Sequence, residues 1–271
     1  MKRTVSIFSA LAVLAAVPFV GADQDADKKT GSKPLRVLML TGGCCHDYKT
    51  QKEVLSAGIG QRANVEFTIL HEDGPGRNTV HQFDLLKKEG WEKDFDAVLY
   101  NICFADVKDV DYIAGITATH KKGLPAVALH CTYHSHHWRA KTDTWEEFLG
   151  VTSPGHGPKK PIKMVPTDEG KKHPVMQGFP EEWTTPKGEL YRVKKVWPTA
   201  TVLAMGDNGG SNQACVWVNT FGDTKLFGTS VGHHTETMAE NVYLDMVSRG
   251  LLWVSDNLNE DGTPKEGMGG Q

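Results

Sequence analysis

The chain contains no cluster of lysine and arginine interleaved with aromatics, and its 30 basic residues are outnumbered by 33 acidic ones. That removes the electrostatic footprint of a nucleic-acid binder, and the lack of an amphipathic basic helix removes a membrane-surface role. Cysteine is scarce. The five present (Cys44, Cys45, Cys103, Cys131, Cys215) form an odd set at irregular spacings, which is not the framework of a disulfide-stapled scaffold, so at least one thiol should stay free or pair between chains. No Pro/Gly-rich linker divides the chain and no internal repeat is visible, so one large domain is expected. The Gly42-Gly43 pair is followed by neither a Gly-x-Gly-x-x-Gly pattern nor Lys-Ser/Thr, which argues against a nucleotide cofactor.

One long apolar run does occur, from Val5 to Val20 behind Lys2 and Arg3, and Val20-Gly21-Ala22 offers the small residues a signal peptidase reads. The run is short for a membrane span and is promptly followed by charge. Residues 1–22 are therefore expected to be a cleaved signal, 23–34 a flexible lead, 35–258 the folded domain and 259–271 a tail. The expected location is secreted or periplasmic, with no membrane attachment after cleavage.

Within the domain, short apolar runs alternate with helical patterns. Strands are expected at 35–40, 65–70, 95–102 and 125–129, with helices at 49–59 and 110–120 between them. This order gives an α/β fold, a mostly parallel sheet with helices on both faces. The second half is less regular, with strand-like runs at 161–165, 200–204, 214–218 and 225–229. A short helix is expected at 142–149 and a closing helix at 237–254.

The most informative stretch is Gly123 to Trp138, where a buried apolar run stops at His130 and opens into a histidine-rich turn. Ligands of open α/β sheets sit beyond the carboxyl ends of strands, so His130, Cys131 and His134 become candidates. His46 and His233 also follow strands closely, and a parallel sheet would carry all three histidines toward one rim. As neutral imidazoles they suit a divalent transition metal such as zinc; as titrating groups they suit proton transfer beside a carbonyl. Asp47, Asp106 and Glu189 are carboxylates available to orient an imidazole or act as base. If the turn after Leu129 is α-helical, the four-residue spacing puts His134 on the face of His130 as a further metal ligand. Cys44 and Cys45, as neighbours, are expected to pack as small residues rather than pair. Trp138, Trp145, Trp183 and Trp197 offer faces for a sugar ring, although core packing is their commoner use.

Four pieces of the chain resemble the ThuA-like family, named for trehalose utilisation. They are Leu-Thr-Gly-Gly followed by His46-Asp47-Tyr48, the run Gly123 to His130, the block from His173-Pro174 to Glu189-Leu190-Tyr191, and Lys225 to His233. The resemblance spans roughly residues 35–258 and implies the flavodoxin-like fold of class I glutamine amidotransferases. Those enzymes place a cysteine nucleophile on the turn after the corresponding strand, and here His130 stands in its place with Cys131 one residue late. A one-residue slip sends a strand side chain to the opposite face, so glutamine hydrolysis is not expected. The amidotransferase His-x-Glu has an echo in His234-Thr235-Glu236, while the ThuA-like pattern points to His233.

The resemblance further implies a small-molecule carbohydrate as partner and an enzyme acting in disaccharide, glycoside or keto-sugar breakdown. Isomerisation or elimination of an oxidised sugar leads, with hydrolysis next. His130, His46, His233, Glu189 and Asp47 would carry the chemistry, with His46, His130, His134 and His233 as metal ligands. The alternative is a non-catalytic sugar-binding module, and the sequence leaves homo-oligomerisation open.

Overall fold

A computed structural model describes residues 32–73, 80–136 and 140–270. The signal expected over 1–22, most of the lead, and Trp138 lie outside these residues. Among the described residues no helix is long and apolar enough to cross a membrane.

Nine strands form one sheet. In chain order they are β1 (Leu35–Gly43), β2 (Val65–Glu72), β3 (Ala97–Cys103), β4 (Ala126–Leu129), β5 (Lys163–Pro166), β6 (Trp183–Thr184), β7 (Ala200–Asp207), β8 (Asn212–Phe221) and β9 (Thr224–Thr229). Their order across the sheet is β2-β1-β3-β4-β9-β8-β7-β5-β6. The first five are mutually parallel, and from β9 outward every neighbour is antiparallel. The sheet is thus a parallel half, built by strand–helix alternation, extended by an antiparallel half in which β7, β8 and β9 follow one another with no helix between them.

Side-chain alternation along β1 divides the core in two. Val37 and Met39 join the cluster under α1 (Tyr48–Gly60) and the closing helix, whereas Leu38 and Leu40 join the cluster under α2 (Val110–Lys121) and α3 (Thr144–Leu149). Helices therefore cover both faces of the parallel half, as buried two-faced strands require. A short helix, α4, spans Asp168–Lys172. The helix expected as one piece over 237–254 is two: α5 (Thr235–Met238) and α6 (Asn241–Val254), broken at Glu240 with extended ψ of 137°. Ala239 and Glu240 are good helix formers, so the break is tertiary in origin: Met238 is buried and the Thr237 hydroxyl donates to the Lys187 carbonyl.

The residues after Leu258, expected as a tail, fold back on the sheet. Asn64 N–H donates to the Met268 carbonyl, and the Met268 side chain is buried in the cluster under α1 and α6.

Candidate metal centre at the strand ends

β1, β4 and β9 are neighbours in the parallel half, apart from β3 between the first two, and the residues following them meet at one rim. β1 runs out through Gly42 and Gly43, which pair with Glu72 and Cys103 on either side. A Cβ on Gly43 would strike the Cys103 carbonyl, so only glycine allows the backbones to come this close. The chain then turns through Cys45, at φ 82°, and presents His46 just ahead of α1. His130 follows β4 directly at φ 42° and begins a 3-10 turn, His130–His134. His233 follows Gly232, whose φ of 124° lets the chain double back before α5.

Three imidazoles and one carboxylate converge there. His46 Nε2 lies 2.9 Å from His233 Nδ1, and His130 Nε2 lies 3.3 Å from the same atom. Glu189 Oε2 stands 3.2 Å from His233 Nδ1 and 3.4 Å from His130 Nε2. His130, Glu189 and His233 are buried. The His130 ring is fixed by its other nitrogen: Nδ1–H donates to the Ser230 carbonyl at 2.7 Å, which leaves the Nε2 lone pair facing the cluster. His46 Nδ1 contacts the Cys44 carbonyl at 3.2 Å and the Tyr48 hydroxyl at 3.0 Å; the carbonyl, which only accepts, assigns that nitrogen the proton.

The electrostatics agree with neutral His46 and His130 rings beside an anion. Burial, reinforced by His130 and His233, pushes His46 down to about 2. Burial also lowers His130, against the opposing pull of Glu189. For Glu189 burial works upward, but the hydrogen bonds with His130 and His233 outweigh it and hold the carboxylate well below its usual range. Lone pairs of two imidazoles and a carboxylate oxygen thus point at one nitrogen. Such a set repels unless a proton or a cation sits among its members.

A cation fits. The four donor atoms lie within 4.8 Å of one another. A tetrahedron with metal–ligand bonds of about 2.0–2.1 Å has edges of about 3.3 Å, close to the spacings found. Three nitrogens and one oxygen suit zinc or a similar divalent ion. The carbonyl bonds at His46 and His130 fix these rings as the outer partners of a metal ligand would.

The structure brings together His46, His130, His233 and Glu189 and leaves two other candidates apart. His134 stacks flat on Tyr191 at 4.0 Å and its Nε2 contacts the Ser153 hydroxyl, outside the donor set. A 3-10 turn advances roughly 120° per residue, so position i+4 does not return to the face it would share in an α-helix. Asp47 caps α1, accepting from Thr50 N–H at 3.1 Å, and lines the cleft beside His46. The cleft measures about 660 Å³ and is bounded by Cys45, His46, Asp47, His233, His234, Thr235 and Glu236. Glu236 pairs with Lys187 at its rim, so the His-x-Glu echo is lining.

Sequence reading missed four contributors. Tyr191 places its hydroxyl 3.3 Å from His130 Nε2, and Tyr48 contacts His46. His156 Nδ1 lies 3.3 Å from Glu189 Oε1. Gln51 donates to the His233 carbonyl and accepts from Asn101. Of these, Tyr48 and Tyr191 each close a motif that carries the family resemblance, while the buried Gln51 carries no signal in the sequence. The tryptophans divide: Trp145 is wholly buried, Trp183 packs on the core edge, and Lys195 lies over the ring of Trp197.

The cysteines overturn one expectation. Cys44 and Cys45 are paired with each other, and Cys103 is paired with Cys131; Cys215, buried, is the free thiol. The turn at Cys45 brings the adjacent sulfurs together. Cys103 ends β3 and Cys131 lies two residues beyond β4, in the turn that His130 begins, so the two meet where these paired strands run out. A disulfide-bonded Cys131 is no glutaminase nucleophile.

No curated protein matches. Among solved structures, a putative ThuA-like protein from Parabacteroides merdae is 17 % identical with a TM-score of 0.62, over 88 % of this chain and 97 % of that one. One from Bacteroides uniformis is 15 % identical with a TM-score of 0.57, over 81 % and 92 %. A β-galactosidase from Rahnella sp. R3 shares the fold at 9 % identity and a TM-score of 0.54, over 81 % of this chain and 31 % of that one. The family model for ThuA, described as trehalose utilisation, matches residues 36–254, and the chain belongs to that family, with its amidotransferase-like fold.

Proposed function

We propose that this protein is a metal-dependent enzyme acting on a carbohydrate, with an oxidised (keto) disaccharide or glycoside as the leading substrate class. The family supports the carbohydrate. The observation that carries the chemistry is the convergence of His46, His130, His233 and the ionised Glu189 on one point at the floor of an open cleft. A sugar-binding module needs hydroxyl-directed polar groups and aromatic faces, but not a buried carboxylate among three imidazoles.

His46 Nε2, His130 Nε2, His233 Nδ1 and Glu189 Oε2 would hold the ion. When bound, it supplies Lewis acidity toward a carbonyl or hydroxyl oxygen of the sugar. The chain's own groups do the rest. Asp47, His234 and Glu236 line the cleft where sugar hydroxyls need donors and acceptors, and Tyr191 offers a hydroxyl beside His130. The His156 ring at Oε1 leaves Oε2 of Glu189 directed into the cluster.

Metal analysis of the purified protein is expected to find about one divalent transition ion per chain. His130→Ala should lose both that ion and the turnover of keto-disaccharides followed by NMR. A parent that holds no metal and turns over no sugar, alongside a His130→Ala variant that binds sugar as the parent does, would overturn the proposal in favour of a binding module.

A further inference from the structure

Four cysteines lie at the strand ends beside His46, and the proposed function uses none of them. They form two disulfides, Cys44–Cys45 and Cys103–Cys131, that differ in access. Cys45 is exposed and lines the cleft, whereas Cys103 and Cys131 are 3 % and 5 % exposed. Between the pairs, Cys44 Sγ stands 3.7 Å from Cys103 Sγ, within an apolar cluster closed by Tyr48. Thiol–disulfide exchange proceeds by direct attack of a thiolate on a disulfide sulfur, so two pairs in sulfur contact, one exposed and one buried, have the layout of a relay.

We propose that these cysteines carry out thiol–disulfide exchange, taking two electrons from an external dithiol at Cys44–Cys45 and passing them to Cys103–Cys131. The dithiol attacks Cys45, displaces the Cys44 thiolate, and resolves the mixed disulfide with its second sulfur. It leaves as a disulfide, and Cys44 and Cys45 are left reduced. The Cys44 thiolate then attacks Cys103 Sγ; the Cys44–Cys103 bond forms and the Cys103–Cys131 bond breaks. Cys131 leaves as a thiolate and takes up a proton. Finally the Cys45 thiolate attacks Cys44, which restores Cys44–Cys45 and releases Cys103 as the second thiol. Two electrons and two protons have moved from the dithiol to the buried pair.

The destination has consequences for the neighbouring site. The sulfurs of Cys103 and Cys131 and a ring nitrogen of His46 lie within 4.8 Å of one another. A reduced pair therefore sets two soft sulfur donors beside the histidine cluster, where the oxidised pair offers none.

The test uses the full chain under native conditions, with dithiothreitol as the dithiol, iodoacetamide to cap released thiols and peptide mapping by mass spectrometry. In the parent, Cys103 and Cys131 are expected to become capped. In Cys44→Ser their reduction should slow at least tenfold; an unchanged rate would overturn the relay. Cys45→Ser alters an exposed residue and leaves Cys44 as a free thiol facing Cys103. With iodoacetamide capping Cys131 as it departs, the map should show Cys44 linked to Cys103. Finding Cys44 capped and Cys103–Cys131 intact would equally overturn it. Neither readout depends on metal or sugar, so the relay stands or falls apart from the carbohydrate proposal.

Discussion

His130 holds a left-handed backbone at φ 42°, a conformation that costs a residue with a Cβ about 1–2 kcal/mol. The turn it makes is what aims Nε2 at the cluster. Gly232 plays the matching part for His233. Its φ of 124° favours glycine strongly, and a Cβ there would stand 2.7 Å from the Tyr243 hydroxyl and 2.9 Å from Met238 Cε. Gly232→Ala is expected to cost about 1–3 kcal/mol, lowering the melting temperature by roughly 2–12 °C, and to displace His233 enough to weaken the proposed metal centre. Calorimetry and metal analysis of one preparation would check both; an unchanged melt would show the turn to be unstrained. At this scale the sequence was legible where chemistry and pattern disagreed. An apolar strand that ends in His130 announces a site, and Glu189 was recognisable within a family block. Asp47 has a second role legible in the sequence, since an Asp three residues ahead of Thr50 suits a helix cap, and the structure uses it as one.

Among the elements, α2 carries a titrating group far from the site. His120 on its buried face donates from Nδ1 to the Leu124 carbonyl, contacts the Tyr100 hydroxyl through Nε2, and stacks on Phe148. Burial lowers it to about 4. The unfolded chain holds this histidine near 6.5, so as pH falls the unfolded state takes up a proton before the folded state does. Its stabilising contribution is complete above 6.5 and is lost as pH falls toward 4, by about 2 kcal/mol between pH 7 and pH 5. His120→Gln should remove that part of the pH slope in urea unfolding, and an identical slope would contradict the assignment. The elements themselves were read well where the period was plain, in β1 through β4 and the first helices. They were misread where contacts overrule propensity, as at Glu240. The pairing of Cys103 with Cys131 was hidden because it joins the end of β3 to the turn beyond β4, a juxtaposition no single element displays.

For the whole molecule, the closing segment is structural. Met268 is buried against the start of the sheet, Asn64 bonds to its carbonyl, and Lys265 N–H donates to Asn257. Ending the chain after Leu258 should cost about 2–4 kcal/mol, from one buried methionine and several hydrogen bonds. The urea midpoint would report it, and an unshifted midpoint would restore the segment to a mere tail.

The donor set also bears on synthesis. His46 and His233 touch across 187 residues of sequence, with His130 and Glu189 arriving between them. The other three donors leave the ribosome before His233 does, and the parallel pairing of β4 with β9 must close before His233 reaches them. Early fragments own at most part of the set. Capture of an ion by the proposed centre would therefore be a late event in biogenesis, and a filled centre would certify that the parallel half of the sheet has closed.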